Sequence, residues 1–117
     1  MHRQNFFFIR ENRKFVKIET ASIQYIESQR NYSKIYTATR SYMVGASLKE
    51  LEDLLPAADF CRIHRSYIIN LAWLSSFDTD KAILAGHSLS IGESYRKALG
   101  AKVLIVGSVN KHELAVQ

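Results

Sequence analysis

Phe60-Cys61-Arg62-Ile63-His64-Arg65-Ser66-Tyr67-Ile68-Ile69-Asn70 is the stretch whose reading decides the fold. Phe60–His64 and Tyr67–Asn70 read as two short strands. The pair Arg65-Ser66 falls between them. Working outward toward the C-terminus, residues 73–77 continue as a strand, and residues 81–85 and 87–91 read as a hairpin around Gly86. In the second of these, His87, Leu89 and Ile91 alternate with Ser88 and Ser90, the period of a strand with one buried face. Gly92-Glu93-Ser94 opens a short helix over about 94–99, with Gly100 as its stop. Residues 101–117 are set apart as an extension, an edge strand or a tail around residues 103–106.

Toward the N-terminus comes the best-signalled element, a helix over about 47–55. Ser47 and Glu50 have the spacing of a capping box. Leu48, Leu51 and Leu55 form one apolar stripe, and Pro56 bars continuation. Before it, residues 41–44, 32–39 and 22–27 are rich in aromatic and β-branched side chains, as strands prefer. Ser28-Gln29-Arg30-Asn31 breaks that run. The chain opens with a hairpin, residues 6–9 against 15–19, turning through Glu11-Asn12-Arg13. The pattern predicts a mainly β fold of short strands in hairpins, with one clear helix.

The chain has 117 residues, enough for one domain and too few for a two-domain enzyme of the Rossmann or barrel type. Apolar residues are 47% and charged residues 23%, so a core is within reach and global disorder is not expected. The net charge of +5 suits a polyanionic partner. One cysteine excludes an internal disulfide and fits a cytoplasmic setting. No run is long enough to span a membrane, and the apolar run of residues 6–9 is too short for a secretory signal.

Catalysis finds little support. Cys61 and His64, three apart on a strand, point to opposite faces and make a poor nucleophile–base pair. The four histidines lack metal-ligand spacing, and no phosphate-loop or hydrolase motif is present. No cofactor or metal is expected. Three polar clusters say more. Gln29-Arg30-Asn31-Tyr32-Ser33-Lys34 combines cations, amides and hydroxyls. Arg62, His64, Arg65 and Ser66 form the second cluster, with Arg62 and His64 expected on one strand face. Ser94-Tyr95-Arg96-Lys97 forms the third, at a helix start whose N–H groups favour a phosphate. Arg and Asn can read guanine and adenine in a major groove, while Ser, Tyr and Lys hold phosphates. Residue types alone leave open a β-rich protein-interaction module, or a single-stranded nucleic-acid binder stacking bases on its tyrosines.

The order of the motifs resembles that of the LytTR family of DNA-binding domains. Ile26-Glu27-Ser28 followed by Tyr32-Ser33-Lys34-Ile35-Tyr36 resembles its first signature, and Ser47-Leu48-Lys49-Glu50-Leu51 its helix. Phe60 to Asn70 is similar to a family run of the form F-x-R-x-H-R-S-Y-I-V-N. Residues 89–99 look like the closing segment, so the likeness covers about residues 6 to 99. The resemblance implies an elongated fold of antiparallel strands in packed sheets. It also implies sequence-specific binding of promoter DNA by bacterial transcription regulators, with loops rather than a recognition helix in the grooves. Carried over, it places Asn31, Ser33 and Lys34 at DNA, then His64 and Arg65 with Arg62 nearby, then Glu93 and Ser94. The family often has arginine where this chain has Glu93. A carboxylate repels phosphates but can accept from cytosine's amino group; Arg96 is the nearest compensating cation in sequence. Family members are commonly the output half of a response regulator in a two-component system. Dimerisation on DNA is therefore expected; the chain is either a standalone regulator or an excised output domain whose partner is a receiver domain, the DNA-binding domain occupying residues 1–100.

Overall fold

The computed structural model describes residues 5–107. Strands β1 (Phe6–Glu11) and β2 (Lys14–Glu19) form a separate ribbon. A five-stranded antiparallel sheet follows, with spatial order β5-β4-β3-β7-β6. Its strands are β3 (Ile23–Gln29), β4 (Tyr32–Thr37), β5 (Ser41–Val44), β6 (Phe60–His64) and β7 (Tyr67–Asn70). β8 (Leu74–Phe77), β9 (Lys81–Leu84) and β10 (His87–Ser90) make a third sheet. Helix α1 (Leu48–Leu54) lies between β5 and β6; α2 (Arg96–Lys102) closes the domain.

The central sheet is buried on both faces. Ile26, Ile35, Ile68 and Phe60 turn to one side, where Ile9 and Ile18 of the ribbon and Leu48, Leu51 and Leu55 of α1 cover them. Tyr25, Cys61, Ile63 and Ile69 turn to the other, against Ala82, Leu84 and Leu89 of the third sheet and Leu99 of α2. Each fully buried Ile or Leu contributes about 1.5–3 kcal/mol, so two thin cores hold the layers together. The result is elongated, 52 × 31 × 25 Å. Among the described residues no helix is long and apolar enough to cross a membrane.

The capping box forms as expected: Glu50 N–H donates to Ser47 Oγ at 3.1 Å, and Ser47 N–H to Glu50 Oε1 at 2.9 Å. Three details differ from the sequence reading. β3 does not break at Ser28; it runs to Gln29, which pairs with Tyr32, so the first polar cluster narrows to a two-residue turn, Arg30-Asn31. The last helix begins as a 3-10 turn, Glu93–Tyr95, and α2 then passes through Gly100 to Lys102. Gly100 does not stop it because Lys102 is anchored: its ammonium donates to the carbonyls of Ala57 and Phe60, both at 2.8 Å. Residues 103–107 form neither strand nor helix, and the rest of the expected extension, 108–117, lies outside the described residues.

Candidate nucleic-acid interface

β3 and β7 run antiparallel side by side, as do β6 and β7. The β3–β4 turn and the β6–β7 turn must therefore emerge at the same end of the sheet. A hydrogen bond from Ser28 N–H to the Ser66 carbonyl, 2.9 Å, ties them together. The third cluster joins through Gly92, whose N–H donates to the Ile63 carbonyl at 2.8 Å. A Cβ on Gly92 would stand 3.0 Å from the Tyr95 ring and 3.6 Å from His64, so glycine makes room for the Tyr95 ring that folds back over this segment. Three segments far apart in sequence thus meet at one end of the central sheet.

The groups they present are not equivalent. Arg30, Asn31, Tyr32, Arg65, Glu93 and Ser94 are exposed. Neither Arg30 nor Arg65 is in an ion pair among the described residues. Arg30 occupies the left-handed region, φ 53°, a conformation costly for a residue with a Cβ and held here by the hairpin around it. Lys34 is half-buried, its ammonium 5.2 Å from the Tyr36 ring centre. His64 and Ser66 are half-buried too. His64 Nδ1 accepts from the Ser66 N–H at 3.0 Å, so the ring's other nitrogen carries the hydrogen as a donor.

Three of the expected contact residues have their polar groups engaged within the fold. Ser33 is fully buried, and its hydroxyl donates to the Ala46 carbonyl at 2.6 Å. Alternation along β4 sends it to the α1 side while Lys34 takes the other face. Arg62 does not share a face with His64. A register shift between them carries His64 to Tyr67, ring centres 5.4 Å apart. The Arg62 guanidinium instead donates to the carbonyls of His64 (3.0 Å) and Arg65 (2.6 Å) and pairs with Glu52 of α1 at 3.4 Å. It braces the β6–β7 turn from inside. Arg96 donates to the Thr79 carbonyl at 2.8 Å and pairs with Asp80 at 3.0 Å, with only 14% of its side chain exposed. It pins α2 to the β8–β9 turn, so its guanidinium is engaged with Thr79 and Asp80 rather than with Glu93. Ser94 and Tyr95, moreover, stand on the 3-10 turn ahead of α2 rather than in its first turn.

Cys61 is buried in the second core, and burial pushes its thiol pKa up, the reverse of what a nucleophile needs. Among the described residues no cluster of His, Cys, Asp and Glu could hold a metal. Sequence reading missed Glu27, which the period of β3 places on one face with Tyr25 and Gln29. Its Oε1 accepts from the Tyr36 hydroxyl at 3.1 Å and from Gln29 Nε2 at 3.3 Å. Burial, then this bond, pushes the Tyr36 pKa up to about 12.

Comparison with known proteins agrees with this fold. The chain is 38% identical over 60 residues to the CO-responsive transcriptional regulator RcoM of Rhodospirillum rubrum, covering 51% of this chain and 25% of that protein. It is 28% identical over 90 residues to the sensory transduction protein LytT of Bacillus subtilis, covering 72% of this chain and 37% of that one. It therefore spans well under half the length of either relative. A solved LytTr DNA-binding domain from Bacillus cereus superposes with a TM-score of 0.75 at 19% identity, over 85% of this chain and 96% of that one, and so shares the fold. The family model of the LytTr DNA-binding domain matches residues 13–103, most of the chain, and the chain belongs to that family.

Proposed function

We propose that this domain binds duplex DNA through the converging end of its central sheet. Sequence-specific DNA binding as part of a transcription regulator is the function that family membership supports. Arg30 and Asn31 at one tip, His64 and Arg65 at the second, and Glu93 and Ser94 at the third are the groups assigned to base edges. Tyr32, Lys34 and Ser66 sit behind them toward phosphates. Ser33, Arg62 and Arg96 support the tips. The observation that carries this assignment is the pair of backbone bonds, Ser28 to Ser66 and Gly92 to Ile63, that fastens three polar tips into one row.

The domain acts without catalysis, in the cytoplasm, with promoter DNA as partner. A homodimer on DNA and a receiver domain that supplies the signal complete the proposed partners.

The test is selection of bound duplexes from a random pool, followed by titration of the enriched duplex at several salt concentrations. An enriched motif is expected, with affinity falling linearly in log–log salt plots as counterions are released. Arg65→Ala should lower affinity by ~1–3 kcal/mol and relax one position. Unchanged binding by Arg65→Ala would remove the second tip from the interface. Preference for single strands, lost in Tyr32→Ala, would favour base stacking on the exposed Tyr32 ring. Absence of salt-sensitive retention would favour a protein partner.

A further inference from the structure

We infer that Gln29 reads an adenine in the major groove and that Glu27 is the positioning residue that sets its amide for the task. This rests on the DNA-binding reading above and extends it to two residues not assigned there.

Tyr25, Glu27 and Gln29 occupy alternate positions of β3 and share a face. Tyr25 stacks on Tyr36 with ring centres 4.4 Å apart. The Tyr36 hydroxyl and Gln29 Nε2 both donate to the same oxygen of Glu27, at 3.1 and 3.3 Å. Gln29 itself is half-buried, on the last paired rung before the Arg30-Asn31 tip. It thus stands one residue behind the exposed end of the sheet.

A carboxylate accepts and cannot donate. The Gln29 atom facing Glu27 is therefore the amide nitrogen, and the carbonyl oxygen is turned away. One N–H is spent on Glu27. The other N–H and the carbonyl oxygen remain as one donor and one acceptor. Adenine shows the complementary pair in the major groove, N7 as acceptor and the N6 amino group as donor. A free glutamine side chain would present either order of atoms and lose rotamer freedom on binding. Glu27 removes the wrong order and takes that ordering before DNA arrives. Glu27 is itself held by Tyr36, and Lys34, its cross-strand partner, carries its ammonium 5.2 Å from the same Tyr36 ring, a cation on the face of the carboxylate.

The experiment is duplex selection with the wild type, Gln29→Ala and Glu27→Gln, with thermal denaturation of all three. The wild type should enrich adenine at one position. Gln29→Ala should reduce that preference about tenfold, the scale of a bidentate amide contact, and leave other positions and the salt slope alone. Glu27→Gln, nearly the same shape, should weaken the same position, because an amide at 27 accepts either orientation of Gln29. An unchanged profile in Gln29→Ala, or a flattened position that was not adenine, overturns the inference. A wild-type profile in a folded Glu27→Gln overturns the positioning role. Should Glu27→Gln unfold, Gln29→Ala decides alone, since it truncates a half-exposed side chain at a strand end. Failure of the wild type to enrich any duplex sinks the DNA reading and this inference with it. An intact motif indifferent to Gln29 sinks the inference only.

Discussion

Arg62 and Arg65 stand three apart in sequence and do opposite work. Arg65 leaves its guanidinium free at the tip, whereas Arg62 folds back and spends its fork on the turn's own carbonyls and on Glu52. Lysine carries the charge but not the fork. Arg62→Lys should therefore destabilise the fold by about 1–2 kcal/mol, read as a lowered Tm, and weaken DNA binding through a loosened turn. An unchanged Tm would show that the brace is dispensable. Arg30 gives the reverse split. Its positive φ suits glycine better, so Arg30→Gly should leave Tm unchanged or raised while affinity for the enriched duplex falls about tenfold. A loss of Tm would place the stabilising contribution in the side chain instead. At this scale the sequence was only half legible. Clustered cations could be counted, but which ones face inward depends on strand parity and on one register shift between Arg62 and His64, and no local composition encodes either.

Among elements, those specified locally could be read in advance. Helix α1 carries its start signal in Ser47 and Glu50 and its stop in Pro56, and the hairpins carry their turn residues. What escaped was set from a distance. Gly100 failed as a stop because Lys102 is tied to Ala57 and Phe60, more than forty residues away. The β9–β10 turn shows a remaining local mismatch, since Ala85 has φ 50° beside Gly86 at 79°. Two-residue turns of that kind favour Asn-Gly. Ala85→Asn should stabilise by about 0.5–1 kcal/mol, a rise in Tm of several degrees, with DNA binding unchanged; a fall in Tm would contradict the turn assignment. The Tyr36–Glu27 link gives a pH signature. Tyr36 holds its proton up to about 12 in the fold and loses it near 10 when unfolded. Its contribution is complete below pH 10 and is lost as pH rises through about 12. Stability measured between pH 9 and 12 should decline less steeply in Tyr36→Phe than in the wild type, and parallel curves would rule this out.

For the whole molecule, the elongated three-layer body brings its polar tips together at one end of the central sheet. The mainly β class and the two-sided central sheet follow from short strands that cannot bury both faces alone. The convergence of the tips follows from the pairing of β3 with β7, a long-range choice that motif order implied only through family resemblance. A rigid row of tips should read neighbouring base pairs and nothing distant. Duplex selection with Arg30→Ala and Arg65→Ala tests this most directly, each variant flattening the operator positions its own tip reads. The account predicts two different positions within about one helical turn, ~10 base pairs. Positions separated by more than a turn within one half-site, or a profile that neither variant alters, would contradict it.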